Sequence, residues 1–121
     1  MSALILVVDD EPDLREALAE YLMAHNYVVL TASDGLEAKK ILLNQKVDLI
    51  LTDMRMPNMN GMELLKFTCA LPNSPKVIMI TGYSDYTSDD FMKHGASGFL
   101  NKPFEVGELL KMVKELATRP H

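Results

Sequence analysis

Apolar residues gather in four short unbroken runs: Leu4-Ile5-Leu6-Val7-Val8, Leu49-Ile50-Leu51-Thr52, Val77-Ile78-Met79-Ile80 and Gly98-Phe99-Leu100-Asn101. Continuous runs of this length, rather than alternation, suit strands covered on both faces. Between them the apolar positions recur at three- and four-residue steps. Leu14, Ala17, Leu18, Tyr21 and Leu22 make one helical face, and Val106, Leu109, Leu110, Val113 and Leu116 make another. Residues 36–44, 62–70 and 88–94 continue the helical pattern, the last stopped by Gly95 as a C-cap. Val28–Ala32 supplies one more strand, and turns such as Ser33-Asp34-Gly35 and Pro57-Asn58-Met59-Asn60-Gly61 separate the segments. Strand and helix thus alternate five times, which predicts a parallel sheet with helices on both faces.

The strand ends carry the chemistry. Asp9-Asp10 follows the first run, Asp53 the second, Thr81 the third and Lys102-Pro103 the fourth. In an open parallel sheet, ligands bind outside the carboxyl ends of the strands where the winding reverses, so these residues are expected to converge despite their separation along the chain.

The 121 residues with 48% apolar content suit one domain over 1–121, with 118–121 a frayed tail. The 12 Lys and Arg against 17 Asp and Glu give a net charge of -5 without a basic run, so direct nucleic-acid binding is not expected. No apolar stretch reaches the ~20 residues of a membrane span, and the amino terminus lacks the marks of a signal peptide, so the protein reads as cytoplasmic. A single cysteine, Cys69, excludes an internal disulfide and is expected to be a small core residue on a helix. His25, His94 and His121 lack ligand spacing and read as surface residues, and the nine methionines read as gap-filling side chains.

Carboxylates suit hard divalent cations, and Mg²⁺ usually takes one or two of them, filling its remaining positions with water and phosphate. Asp9, Asp10 and Asp53 fit that pattern, and without a cation each pair would repel by about 4 kcal/mol at ~4 Å and an effective dielectric of ~20. Beside such an ion, Asp53 is suited to attack a phosphoryl group and form an aspartyl phosphate. Lys102 could neutralise a phosphoryl oxygen and Thr81 donate a hydrogen bond to another. Each residue alone has an ordinary explanation: Asp9-Asp10-Glu11-Pro12 as a helix start, Thr81 as a strand residue, Lys102 as a surface charge. The combination carries the functional reading.

These residues resemble the receiver domain of two-component response regulators over essentially the whole chain. Leu6-Val7-Val8-Asp9-Asp10-Glu11 is similar to the family's acidic opening, Asp53-Met54-Arg55-Met56-Pro57 with Gly61 to its phosphoacceptor segment, and Thr81-Gly82 and Lys102-Pro103-Phe104 complete the set. The resemblance implies a flavodoxin-like sheet of order 2-1-3-4-5 and phosphorylation of Asp53 by a histidine kinase or histidine phosphotransfer protein. It implies Mg²⁺ on Asp10, Asp53 and the Arg55 main-chain carbonyl, with Asp9 acting largely through water, and a cis Lys102-Pro103 bond. It further implies a switch in which Thr81 and Phe99 move together, changing a surface on the last helices and strand that a downstream effector reads. Receivers of winged-helix transcription factors usually carry an acid before the switch aromatic and an arginine in the final helix, where this chain has Gly98 and Met112. The module is expected to phosphorylate and dephosphorylate itself. One alternative is a Mg²⁺-dependent phosphatase using the same aspartyl phosphate, although such enzymes commonly have an acid where Arg55 stands. A flavodoxin-like cofactor binder is the other, although its first loop should offer hydroxyls and amides rather than Asp9-Asp10-Glu11.

Overall fold

A computed structural model describes residues 3–82 and 86–117. Its elements follow in the order β1 (Leu4–Val8), α1 (Pro12–Met23), β2 (Val28–Ala32), α2 (Gly35–Asn44), β3 (Leu49–Asp53), α3 (Gly61–Cys69), β4 (Lys76–Thr81), α4 (Ser88–Lys93), β5 (Gly98–Asn101) and α5 (Val106–Leu116). The strands form one sheet of order β2-β1-β3-β4-β5, and every pairing is parallel.

The pleat of the sheet builds two cores. Leu6, Val8, Ile50, Val77 and Met79 point to the face covered by α2, α3 and α4, while Ile5, Val7, Leu49, Leu51, Ile78 and Ile80 point to the face covered by α1 and α5. This is why the inner strands read as unbroken apolar runs: odd and even positions serve different cores. The order reverses at β1, which has β2 on one side and β3 on the other. The carboxyl ends of β1 and β3 therefore open side by side.

Local signals set the helix ends. Asn60 and Thr87 begin α3 and α4 with reciprocal capping boxes to Glu63 and Asp90. Gly95 ends α4 at φ +105°, with its N–H on the Met92 carbonyl and the Ala96 N–H on the Phe91 carbonyl, a Schellman closure of the kind expected. Among the described residues no helix is long and apolar enough to cross a membrane.

Cys69 corrects the sequence reading, because it is exposed. The buried face of α3 is Gly61, Met62, Leu64, Leu65 and Thr68, and Cys69, four residues after Leu65, falls on the same side, but as the last residue of α3 it sits at the open end of the helix. Its Sγ donates to the His94 carbonyl at 3.5 Å. His25 and His94 are exposed, and His25 Nδ1 pairs with the Tyr21 carbonyl at 2.9 Å. The expected tail at 118–121, including His121, lies outside the described residues.

Candidate functional site

The register places the strand-end residues side by side. Val8 pairs with Thr52, Asp53 with Ile80, and Thr81 with Asn101. Asp9 and Asp10 therefore leave β1 beside Asp53, and Thr81 closes β4 one step beyond Asp53. A ligand oxygen from each of Asp9, Asp10 and Asp53 lies within 4.8 Å of the others. Asp9 and Asp53 are buried and Asp10 is exposed, so the cluster opens to solvent on one side.

Backbone donors orient the two buried acids. The Met54 N–H donates to Asp53 Oδ1 at 2.7 Å and the Glu11 N–H to Asp9 Oδ1 at 2.9 Å. Helix capping does not account for the acidic opening: Pro12 does start α1, but the N-cap Glu11 makes no side-chain capping bond. Arg15, which the sequence did not single out, reaches back from α1 so that Nη1 donates to the Asp9 carbonyl at 2.8 Å. Its signal was an arginine six residues after the first acid.

Lys102 comes from beyond β5, where its N–H donates to the Thr81 carbonyl at 3.0 Å and its peptide bond to Pro103 is cis. Its Nζ lies 3.1 Å from Asp53 Oδ2 and 3.7 Å from Asp9 Oδ2. Burial opposes the charge of this ammonium, but the Asp53 charge, the bond to it and the Asp9 charge together raise its pKa above the usual lysine value. The Asp9 carboxyl is also raised, first by burial and then by the Asp53 and Glu11 charges, against the opposing pull of the Glu11 N–H and Lys102. Three clustered carboxylates thus face the Lys102 ammonium, which lies 3.1 and 3.7 Å from two of them. That imbalance suits a hard divalent ion.

Thr81 and Phe99 line one surface cavity of about 250 Å³ together with Gly82, Tyr86, Thr87, Ser88 and Asn101. Phe99 is half-buried and stacks on the fully buried Phe91, ring centroids 5.5 Å apart and planes 23° apart. The Phe91 ring in turn lies 5.8 Å from Tyr86. Sequence reading found Thr81 and Phe99 but missed Phe91, whose only signal was an aromatic among polar neighbours in a short helix. Of Arg55 and Tyr83, which stand two residues beyond Asp53 and Thr81 in sequence and so are candidates to screen a phosphoryl group from water, Arg55 is exposed and Tyr83 lies outside the described residues.

Comparison with known proteins agrees with this geometry. Residues 5–114 match the family described as the response regulator receiver domain. The chain is 34% identical over 116 residues to sporulation initiation phosphotransferase F of Bacillus subtilis, covering 95% of this chain and 94% of that protein. It is 38% identical over 109 residues to the response regulator protein PilR of Pseudomonas aeruginosa, of which it spans only 24%, with 89% of this chain covered. Among solved structures it is similar to the response regulator TrrA of Thermotoga maritima in complex with Mg²⁺-BeF, with 38% identity, 94% of this chain and 98% of that one covered, and a TM-score of 0.85.

Proposed function

Since the chain belongs to the response regulator receiver domain family of two-component systems, we propose that it is a switch whose Asp53 accepts a phosphoryl group from the phosphohistidine of a sensor histidine kinase or histidine phosphotransfer protein. The observation that carries this reading is Lys102 Nζ at 3.1 Å from Asp53 Oδ2, inside a cluster that holds Asp9 and Asp10 within 4.8 Å of Asp53.

Asp10, Asp53 and the Arg55 carbonyl would hold a Mg²⁺ ion, with Asp9 acting through its water. The donor set fits: hard oxygens, two of the acids buried, and more negative charge than Lys102 can balance. When bound, the ion would offset the charge of the acids and of the incoming phosphoryl group. The Met54 N–H fixes one carboxylate oxygen of Asp53, so the nucleophile meets its substrate in a set orientation. The N–P bond of the donor breaks as the Asp53 O–P bond forms, and the donor imidazole leaves. Lys102, charged throughout the neutral range, follows the negative charge onto the phosphoryl oxygens. The Thr81 hydroxyl donates to another of these oxygens, and its movement frees space into which Phe99 turns. Water later cleaves the O–P bond, returning the carboxylate and inorganic phosphate.

The domain is a signalling module whose product is a changed surface around β5 and its flanking helices, read by a downstream effector rather than by nucleic acid. We assign the whole of 1–121 to this one module and place its action in the cytoplasm. Intact mass spectrometry after incubation with acetyl phosphate tests the reading. One phosphoryl group should be gained with Mg²⁺, none with EDTA, and none by Asp53→Asn. No Mg²⁺-dependent gain in the wild type would overturn it.

A further inference from the structure

Two loops that are distant in sequence are locked together beside the acidic cluster. Asp34 caps α2 with Oδ1, which accepts from the Glu37 N–H at 2.8 Å. Its second oxygen, Oδ2, accepts from Asn58 Nδ2 at 2.8 Å across a separation of 24 residues. Asn58 sits at φ +70°, a left-handed conformation that asparagine tolerates better than most residues. Next to Asp34, a Cβ on Gly35 would fall 2.5 Å from the Met59 carbonyl oxygen, so the two backbones are in contact and glycine permits the approach. The loop between β3 and α3 is closed at its base, where the Gly61 N–H donates to the Met54 carbonyl at 2.8 Å. Its start is fixed by the register of β3. The bond to Asp34 fixes its tip.

We propose that Asp34 and Asn58 are positioning residues that clamp the β3–α3 loop so that the Arg55 carbonyl is held ready for the cation, an inference that rests on the metal site proposed above. Neither residue touches that site, and both lie toward solvent, so the clamp acts on the loop rather than on the core. The Glu37 N–H and the Asn58 amide hold the Asp34 carboxyl below the usual carboxylate range, which keeps the Asp34 side of the clamp charged through neutral pH.

Two variants separate the clamp from its neighbours' duties. Asn58→Gly keeps the left-handed backbone and removes the amide, and Asp34→Ser keeps an N-cap oxygen and removes the reach to residue 58. Mg²⁺ dissociation constants come from amide chemical-shift titration of the whole chain, alongside melts and Gly61 amide exchange in EDTA. Each single variant should bind Mg²⁺ about three- to ten-fold more weakly, the range one hydrogen bond commands. The double variant should be no weaker than the worse single, the EDTA melts should stay near wild type, and Gly61 should exchange faster. Unchanged affinity in the variants overturns the clamp while leaving the metal site standing, whereas no saturable Mg²⁺ binding by wild type overturns both. Fully additive losses, or losses that track a lower melting temperature, also overturn it, because the two residues would then act separately or through general loosening.

Discussion

Replacing Asp53 by asparagine should make the metal-free protein more stable, although it removes the proposed acceptor. The substitution is close to isosteric, and the Asn carbonyl can still accept the Met54 N–H that now donates at 2.7 Å. Two electrostatic effects oppose each other. The 3.1 Å attraction to Lys102 is lost, about 5 kcal/mol at an effective dielectric of ~20. Repulsion from Asp9 and Asp10 within 4.8 Å is relieved, about 3.5 kcal/mol from each on the same basis. The difference of roughly 2 kcal/mol shrinks to about 1 kcal/mol once solvent screening at this open-sided cluster is allowed for, or roughly 3–5 °C in Tm for a domain of this size. Lys102 keeps Asp9 as a partner at 3.7 Å. Mg²⁺ should reverse the ranking, since it binds the folded wild-type site and stabilises it by linkage, whereas the variant offers one carboxylate fewer. Thermal melts of both proteins in EDTA and in millimolar Mg²⁺ give all four values. An Asn variant that melts below wild type in EDTA would show that the Lys102 pair outweighs the repulsion. An equal Mg²⁺ gain in both would show that the three acids do not share one cation.

Thr81→Ala should slow phosphorylation without abolishing it while uncoupling it from Phe99, with which Thr81 shares a cavity; full phosphorylation-induced amide shifts around Phe99 in the variant would refute that route. Asp9 has a folded-state pKa above its ordinary 3.8, so in EDTA the native chain takes up this proton before the unfolded one as pH falls. The stabilisation by protonation is absent at neutral pH and complete once pH has fallen below about 3.8. Asp9→Asn should accordingly exceed wild type in stability at pH 7 by more than at pH 4.5, and a constant gap in chemical denaturation would argue against it. Thr68 is fully buried and its Oγ1 has no hydrogen-bond partner among the described residues. Thr68→Val should raise stability by about 1 kcal/mol in urea unfolding by removing an unsatisfied hydroxyl, and a loss would show that the hydroxyl is satisfied.

The inner strands were legible because both faces are buried, which leaves no polar residue within Leu4–Val8 or within Leu49–Leu51. The helices were legible where an apolar face recurred, as along α1 and α5. The acids, Thr81 and Lys102 could be gathered from sequence because each ends a strand and parallel strands end at one edge. Pairings made across that edge could not be read. Asn58 looked like turn punctuation, yet its amide bonds a carboxylate 24 residues away. Phe91 became visible as the partner of Phe99 only when α4 was laid over β5. Cys69 failed for a different reason: residue type and helical face both predict burial, but Cys69 is the final residue of α3, where the helix runs out past the core.

The most direct measurement is to map the phosphoryl group by peptide mass spectrometry, after treatment with acetyl phosphate and Mg²⁺ and trapping with borohydride. A single reduced acyl phosphate is expected at Asp53, absent when Mg²⁺ is withheld. Label on Asp9, Asp10, a serine or a threonine, or an adduct that persists in Asp53→Asn, would contradict it.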